Sequence, residues 1–335
     1  MTTSSSFRMP AEWAKHTRCW MAWPCDEDQW DNGIDKARAA FARVAQAIAT
    51  FEPVTIVCRP GHEATVKEYL QGQVEILAVD LDDSWMRDMG PTFVLDASGN
   101  KAGVNWVFNG WGKYAHDNDT QVATNILASI GVPRIDSALV NEGGGIHVDG
   151  EGTILLTETV QLNANRNPQW SKQDVEQELQ HQLGVSKCIW LPQGVVDDDT
   201  DGHIDELACF VAPGKVLALI TRDETDANYA ILAENLRILR QSRDAKGRLL
   251  EVVTVEQPKA TYNGGVRLST SYINFYIANG GVVMPGYGDS KADAEAKRII
   301  SECFPARQVI QVDCRDIVVG GGNIHCITQQ EPAPL

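Results

Sequence analysis

The chain alternates between two hydrophobic periods. Apolar residues three or four positions apart predict helices, and each helix is followed within a few residues by a short β-branched run that predicts a strand. The predicted helices are Lys36–Thr50, Glu63–Leu70, Asp119–Ile130, Lys172–Leu183, Ala227–Arg240 and Ala292–Cys303. The predicted strands after them are Val54–Val57, Val74–Val79, Val132–Asp136, Lys187–Leu191, Leu250–Val255 and Gln308–Val312. This order of elements indicates an α/β protein.

Turn signals divide the chain into units of similar length. Hairpin turns are predicted at Asp96–Asn100, Asp149–Gly152, Ala212–Lys215 and Ala278–Gly281. Their spacing of about 50 to 65 residues is typical of the blades of a closed ring. A fifth unit forms if Asn323–Thr328 pairs with Cys19–Trp23.

The repeats therefore predict one pseudo-symmetric α/β domain of five units over residues 1–335, with loose tails at about 1–7 and 331–335. An open α/β sheet without internal symmetry is the alternative that the repeat order leaves open.

Composition narrows the classes of function. Asp and Glu number 45 against 29 Lys and Arg, which gives a formal net charge of −16. This charge disfavours partners such as nucleic acid and anionic membrane surfaces, whereas it would attract a small cation. No apolar stretch approaches the roughly 20 residues of a membrane span, and the first residues lack a secretory pattern. We therefore expect a cytoplasmic protein whose eight cysteines, which include no CxxC pair, are mostly buried thiols.

Potentially reactive residues occur at similar positions in the units. Asp88 precedes the first hairpin, Glu142 the second, and His203 with Asp205 the third, while Cys326 lies in the last unit. Because equivalent positions in a ring meet at its axis, we expect one thiol, one imidazole and three carboxylates to gather there. Taken singly, each of these residues also fits an ordinary structural role.

This set of groups points to a positively charged substrate. A Cys thiolate is a strong nucleophile, and a His within reach can act first as general acid and then as general base. Two carboxylates can hold a planar guanidinium, and a third can keep the His protonated. Carboxylates beside a thiol raise its pKa, so the arrangement requires an electrophile that is itself cationic. A guanidinium or amidinium therefore fits better than an amide.

Metal and nucleotide binding have less support in the sequence. His203 and Asp205 are two residues apart, so on a strand they would face the same side. No further His or Cys lies at a ligand spacing nearby, and we predict no metal. The glycines Gly320–Gly322 are not followed by a helix and do not form a dinucleotide-binding motif.

Several segments together resemble a known family. They are Met9–Trp13, Cys19–Pro24, Asp83–Pro91, Asn141–Gly145, Asp199–Asp205, Ser271–Asn279 and Gly320–Gln330. With these motifs the chain resembles the agmatine deiminases of the pentein superfamily, and bacterial peptidylarginine deiminase-like proteins share several of them. The resemblance implies the pentein fold, a five-bladed α/β propeller, in agreement with the repeats.

The resemblance also implies roles for the reactive residues. Cys326 would attack the guanidinium carbon, while Asp88 and Asp205 would hold the guanidinium nitrogens. Glu142 would hold His203, which would protonate the departing ammonia and then activate the water that hydrolyses a thiouronium intermediate.

Two further residues would bind the remainder of the substrate. Trp85 would lie along the substrate with a cation–π contact, and Asp199 would meet the distal ammonium of agmatine. The products would be N-carbamoylputrescine and ammonia, an early step of polyamine synthesis. The resemblance implies no metal or organic cofactor, and it implies a homodimer or a higher homo-oligomer.

Three alternatives stay open at this point. A deiminase acting on arginine or peptidylarginine would use the same chemistry, although arginine's carboxylate calls for a cation near the site and the loop Asp197–Asp201 is acidic. A thiol amidase or peptidase would not need three carboxylates. A non-catalytic propeller that binds a polyamine is the third alternative.

Overall fold

A computed structural model describes residues 7–334 of the chain. The strands are β1 Phe7–Arg8, β2 His16–Ala22, β3 Val54–Cys58, β4 Glu75–Ala78, β5 Thr92–Asp96, β6 Lys101–Val107, β7 Arg134–Val140, β8 Ile146–Val148, β9 Thr153–Thr157, β10 Lys187–Leu191, β11 Ala208–Ala212, β12 Lys215–Ile220, β13 Glu251–Glu256, β14 Tyr262–Asn263, β15 Val266–Arg267, β16 Tyr276–Ala278, β17 Gly281–Gly286, β18 Gln308–Asp313 and β19 Thr328–Pro332. The α-helices are α1 Ile34–Ala49, α2 Glu63–Leu70, α3 Met86–Met89, α4 Val122–Ser129, α5 Glu158–Gln161, α6 Lys172–Leu183, α7 Tyr229–Gln241, α8 Ser290–Cys303 and α9 Arg315–Val318.

The same arrangement of strands recurs in five sheets of the described chain. Their orders are β19-β2-β3-β4, β1-β5-β6-β7, β8-β9-β10, β11-β12-β13 and β16-β17-β18. In each sheet an antiparallel pair is followed by a parallel strand that returns through a helix, namely α1, α4, α6, α7 or α8. The prediction of five α/β units, the blades of a pentein propeller, is therefore confirmed.

The first sheet joins the two ends of the described chain. β19 pairs antiparallel with β2, with Thr328 opposite Met21 and Gln330 opposite Cys19. The prediction that the C-terminal segment pairs with the strand around Cys19–Trp23 was right, but the predicted strand at 323–328 was wrong, because residues 323–327 form the turns that carry Cys326 and the strand begins only at Thr328.

The predicted tails are shorter than expected. Glu331 and Pro332 are buried in β19, and Phe7 pairs with Asp96 through β1. The expectation of loose residues at 7 and at 331–332 was therefore wrong, because both segments complete the hydrogen bonding of a sheet. Residues 1–6, which belong to the same expectation, lie outside the described residues.

Local signals explain the helix boundaries. Ser171 and Asp174 form a capping box at the start of α6, and Gly184 ends this helix in the left-handed region with φ 65°. Asp289 accepts hydrogen bonds from the first backbone N–H groups of α8. Helices α2 and α6 and strand β10 begin and end at the predicted residues, and the other predicted boundaries differ by a few residues.

The apolar faces of the blades bury three clusters of side chains. The largest surrounds Trp20, Trp23 and Phe41 between α1 and the first sheet, and it extends to Trp85 and Cys326. The site described below is therefore continuous with a packed core, which holds its side chains in fixed positions. The eight cysteines of the described chain are free thiols, six of them buried. Across residues 7–334, each helix is too short or too polar to cross a membrane.

Candidate active site

The blades bring one loop each to a common place. Each loop immediately precedes the first strand of an antiparallel pair, that is β5, β8, β11, β16 or β19. The segments before four of these strands carry the predicted residues Asp88, Glu142, His203 with Asp205, and Cys326, and Asp88 lies in the one-turn helix α3 within its segment. All five side chains are buried, with exposures of 7% or less. Because these segments occupy equivalent positions in the blades, residues that are far apart in sequence meet.

Gly144 marks the point on which these side chains converge. A Cβ atom built on Gly144 would lie 2.5 Å from His203 Nδ1 and 3.0 Å from an oxygen each of Asp88 and Asp205. The missing side chain therefore leaves a space faced by one imidazole nitrogen and two carboxylate oxygens. Cys326 Sγ lies 3.7 Å from Asp205 Oδ2, so the thiol faces the same region.

Glu142 and Arg166 hold the imidazole of His203. Glu142 Oε2 lies 3.3 Å from His203 Nε2, and Arg166 Nε donates to Glu142 Oε1 at 2.9 Å. Burial alone would lower the pKa of His203, but the charge of Asp88, 3.9 Å away, and the bond to Glu142 raise it to about 9. Burial would raise the pKa of Glu142, but His203 and Arg166 bring it below its usual value. The imidazole is therefore protonated near neutral pH.

The two carboxylates beside the space differ in their environment. Burial and the neighbouring charges of Asp205 and Glu142 raise the pKa of Asp88 to about 6, although His203 opposes the rise. Asp88 accepts hydrogen bonds from Trp111 Nε1 and from the Gly144 N–H, both at 3.0 Å. Burial would also raise the pKa of Asp205, but its hydrogen bond to His325 and two imidazolium charges lower it.

Asn274 contacts the candidate nucleophile directly. Its Nδ2 lies 3.1 Å from Cys326 Sγ, and its Oδ1 accepts from the His325 N–H at 2.8 Å. Burial, followed by the charges of Asp205, Glu206 and Asp88, raises the pKa of the Cys326 thiol well above its usual value. Without a cation in the site the sulfur therefore holds its proton.

Trp85 and Asp199 lie on either side of the glycines that precede Cys326. A Cβ on Gly322 would lie 2.6 Å from the Trp85 ring and 3.1 Å from Cys326 Cβ. A Cβ on Gly321 would lie 3.2 Å from Asp199 Oδ2. Trp85 is buried beside the sulfur, whereas Asp199 is exposed further out. The glycine run therefore links the thiol to an acidic side chain near the surface.

One local prediction for these residues was wrong. His203 and Asp205 do not lie on a strand: His203 precedes a 3₁₀ turn over Ile204–Glu206, and β11 begins only at Ala208. The two side chains still meet, since both lie within 3.0 Å of the Cβ position of Gly144. The turn, not a period of two, brings them together.

Sequence reasoning assigned no role to several residues of the site. Asn274 stands before β16, in the one unit for which no reactive residue was proposed, so the repeat itself carried that signal. Trp111, Arg166 and His325 had no comparable signal, because their partners are 23, 24 and 120 residues away in the chain.

Glu206 is buried close to the thiol. Within the described chain, oxygens of Asp205 and Glu206 and the sulfur of Cys326 lie within 4.8 Å of one another and could together hold a cation. Burial and the charges of Asp205 and Asp198 raise the pKa of Glu206 well above its usual value. Because a metal binds the deprotonated ligands, both Glu206 and Cys326 would have to lose protons first.

The five-bladed fold and the composition of this site define a class of protein, the guanidino-modifying hydrolases. A family model for the Porphyromonas-type peptidyl-arginine deiminases matches residues 8–332, and the chain belongs to this family. A relative from Legionella pneumophila (strain Paris) is 51% identical over 330 residues, which cover 97% of this chain and 95% of the relative.

Two further matches carry specific names. An agmatine deiminase from Pseudomonas aeruginosa (strain LESB58) is 44% identical, over 99% of this chain and 97% of the relative. The solved agmatine deiminase of Enterococcus faecalis superposes with a TM-score of 0.95 at 36% identity, over 100% of this chain and 99% of that one.

Proposed function

We propose that the protein is an agmatine deiminase, which hydrolyses agmatine to N-carbamoylputrescine and ammonia through a covalent adduct on Cys326. One observation carries the proposal: His203 Nδ1 and oxygens of Asp88 and Asp205 surround the space above Gly144, with the thiol beside it. The residues of this site come from segments of four blades, which we assign to one catalytic domain. The names of the two agmatine deiminases above support the choice of substrate.

The charges of the site favour a cation. In the free site burial and like charges raise the pKa of Asp88 to about 6 and hold that of Cys326 far above its usual value. A guanidinium between the two would reverse both effects, since a nearby positive charge favours carboxylate and thiolate. Substrate binding therefore activates the nucleophile, which is not reactive without it.

In the first half of the reaction a covalent bond forms between the Cys326 sulfur and the guanidinium carbon. Bound guanidinium promotes loss of the Cys326 proton to solvent, and the sulfur attacks the guanidinium carbon while Asp88 and Asp205 hold its N–H groups. His203 Nδ1 faces the space, so the imidazolium gives its proton to the departing nitrogen. The carbon–nitrogen bond breaks, ammonia leaves, and a thiouronium remains on the enzyme.

The second half reverses the role of the imidazole. Neutral His203 takes a proton from water, whose oxygen attacks the thiouronium carbon. The carbon–sulfur bond then breaks, which frees Cys326 and leaves a ureido group on the product. Glu142 stabilises the imidazolium in both halves because it bonds the other ring nitrogen, Nε2. The steps use the groups of this chain together with one water.

The acidic outer loop favours agmatine over arginine. Asp199 lies beyond the glycines next to Cys326, where the far end of an extended substrate would reach. The nearby cation Lys113 is already paired with Asp201 and with the backbone oxygen of Asp199. A distal ammonium therefore meets a carboxylate, whereas the carboxylate of arginine would be repelled. We further propose that the protein is a homo-oligomer, as the family resemblance implies, and, in line with the sequence prediction, that it is cytoplasmic.

The test is ammonia release from agmatine, arginine and a blocked peptidylarginine. We expect turnover of agmatine, at least about 100-fold lower kcat/KM for the other two, and full activity in EDTA. Cys326→Ser should lose activity and Cys303→Ser, a half-buried thiol at the end of α8, should retain it. Preferred turnover of arginine or peptidylarginine would contradict the substrate, and an active Cys326→Ser would contradict the mechanism.

A further inference from the structure

A second histidine lies directly behind the site. His325 precedes Cys326 in the chain and is 2% exposed. Its Nδ1 lies 2.8 Å from Asp205 Oδ2, and its Nε2 lies 2.9 Å from Glu12 Oε1. Both ring nitrogens are therefore bonded to carboxylates, and neither is left to bind substrate or to transfer its proton. Its place in the site is that of a support for Asp205.

Glu12 continues this row of charges away from the site. Its Oε1 lies 3.5 Å from Arg87 Nη1, and its Oε2 lies 3.6 Å from His147 Nε2. Arg87 also donates to the backbone oxygen of His325 at 3.3 Å. All of these side chains are buried, so solvent screens their charges little. The row alternates in sign from Asp205 through His325 and Glu12 to Arg87.

Asp205 is hydrogen-bonded to the imidazolium of His325, whereas the hydrogen bonds of Asp88 come from an indole and a backbone N–H. Burial and Arg87 would lower the pKa of His325, but Glu12 and Asp205 raise it. The imidazolium is in turn the main reason that the pKa of Asp205 is lowered against the effect of burial. Asp88 accepts hydrogen bonds from neutral donors, Trp111 and a backbone N–H, and the His203 imidazolium lies further off at 3.9 Å; burial and the acidic neighbours raise its pKa to about 6.

We propose that His325, held by Glu12, is a positioning residue that keeps Asp205 ionised and oriented for the guanidinium. His325 Nδ1 bonds Asp205 Oδ2, the same oxygen that faces the space above Gly144 and the thiol, so this hydrogen bond fixes the oxygen that would meet a guanidinium N–H. This inference rests on the proposed function, because it concerns the same substrate group. The two carboxylates then have different roles. Asp205 is charged before the substrate arrives, and Asp88 becomes fully charged once the substrate is bound.

The groups around Asp205 set the expected titration. Positive charge comes from His325, His203 and Arg87. The acidic groups that face Asp205 are Asp88, Asp198, Glu206 and the Cys326 thiol, and of these Glu206 and Cys326 keep their protons in the free site. With His325 removed, the acidic neighbours dominate and the pKa of Asp205 rises. Two carboxyl groups instead of one would then have to lose protons before the enzyme binds its substrate.

The experiment separates the hydrogen bond of His325 from its charge. His325→Asn keeps a donor near the position of Nδ1 without the charge, and His325→Leu removes both. We expect the acid limb of kcat/KM for agmatine in His325→Asn to move at least one pH unit upward and to steepen towards two protons. Activity should be at least 10-fold lower at pH 6 and recover at pH 8. His325→Leu should stay at least 100-fold low throughout.

His147→Asn is the matched control. His147 stacks on His325 with ring centroids 6.3 Å apart and also approaches Glu12, but it bonds the backbone N–H of Phe210 and not Asp205. Its acid limb should be that of the wild type. A His325→Asn variant that only loses thermal stability, with the acid limb unmoved, overturns the proposal, and so does an equal shift in His147→Asn.

Two further measurements cover the cases in which His325→Asn does not fold or the wild-type protein does not turn over agmatine. If His325→Asn does not fold, Glu12→Gln tests the same row, since loss of the Glu12 charge should also move the acid limb upward. If the wild-type protein does not turn over agmatine, the proposed function fails, and the row is then tested by the pH dependence of Cys326 alkylation with chloroacetamidine, measured by mass spectrometry. An alkylation profile unchanged in His325→Asn would overturn the inference by itself.

Discussion

At the scale of single residues, the site depends on an absent side chain. Gly144 has an ordinary backbone conformation, so the residue is not a glycine because of a left-handed turn. What it provides is room, because a Cβ there would occupy the space faced by His203, Asp88 and Asp205. On the proposed function, the chain uses the smallest residue where the planar group of the substrate would approach the backbone.

Gly144→Ala should therefore abolish activity without unfolding the protein. The added methyl group would lie 2.5 Å from His203 Nδ1 and would exclude a guanidinium from the carboxylates. We expect kcat/KM for agmatine to fall by at least about 1000-fold, which corresponds to roughly 4 kcal/mol. Steady-state ammonia release, together with circular dichroism of the folded variant, measures this effect.

Gly145→Ala provides the comparison for that variant. A Cβ on Gly145 would meet Gln161 Nε2 at 3.2 Å and would approach His203 only to 3.8 Å, so it would stay out of the space above Gly144. Its activity should stay within about 10-fold of the wild type. Equal losses in the two variants would mean that the loop tolerates no side chain, and the assignment of the space above Gly144 to the substrate would be wrong.

At the scale of elements, two loops enclose the outer end of the site. Trp111, with φ 55°, lies in the turn 110–112, and the following residues Lys113 and Tyr114 reach the second loop, which contains Asp199. Arg166 ties this second loop down through Asp201. The first loop therefore bonds the catalytic region through Trp111 and Asp88, and it bonds the acidic loop through Lys113 and Tyr114.

Asp199→Asn should weaken substrate binding more than catalysis. The carboxylate lies near the expected position of the distal ammonium, which is remote from the reacting carbon, so its contact favours ground state and transition state alike. We expect KM for agmatine to rise about 10-fold and kcat to change less than about 3-fold, in initial-rate measurements across agmatine concentration.

Asp197→Asn removes the same charge two residues away. Asp197 is exposed and has φ 59°, a conformation that Asn tolerates well. Its KM should be unchanged if the effect of Asp199 is local, and a matching rise in both variants would show only the loss of general acidity. An unchanged KM in Asp199→Asn would remove this residue from the substrate site.

The elements were more predictable than the contacts between them. Periodicity located α6 and β10 to the residue, and for α6 the capping box and Gly184 mark both boundaries in the sequence itself. The repeat also placed Cys326 and Asp88 in loops that meet. It could not reveal Trp111 as the donor to Asp88 or His325 as the support of Asp205, since such pairings depend on how blades pack and leave no periodic signal.

At the scale of the whole molecule, the folded protein favours protons on several buried groups. Burial is the main cause that raises the pKa of Asp83 to about 7 and those of Asp88 and Asp119 to about 6. Neighbouring carboxylates raise the pKa of His203 to about 9, although burial opposes them. Folding therefore takes up protons between weakly acidic and weakly basic pH, and stability depends on pH accordingly.

The substrate-free protein should be most stable at about pH 4. The contributions of the three aspartates are complete below their unfolded pKa of about 4 and are lost as the pH rises through 6 to 7. The contribution of His203 to the stability is complete below about pH 6.5 and is lost as the pH rises through 9. Glu142 and Asp205, with lowered pKa values, act oppositely and lose their contribution as the pH falls below about 4.

Thermal unfolding between pH 4 and pH 9 measures this dependence. We expect Tm to fall by more than about 5 °C from pH 5 to pH 9, because each pKa unit corresponds to about 1.4 kcal/mol. Agmatine bound to Cys326→Ser should reduce the fall, since the cation compensates the charge of Asp88. A Tm that rises steadily towards pH 9 would contradict these titrations.

The pairing of β19 with β2 has a consequence for synthesis. Cys326 lies two residues before β19, which closes the ring of blades, and every other side chain of the proposed mechanism precedes it in the chain. A growing polypeptide on the ribosome can therefore fold most of its blades while its nucleophile is still inside the exit tunnel. The proposed site is therefore complete only once β19 pairs with β2, and a growing chain that ends before this strand has the acidic residues but lacks the Cys326 thiol in its place.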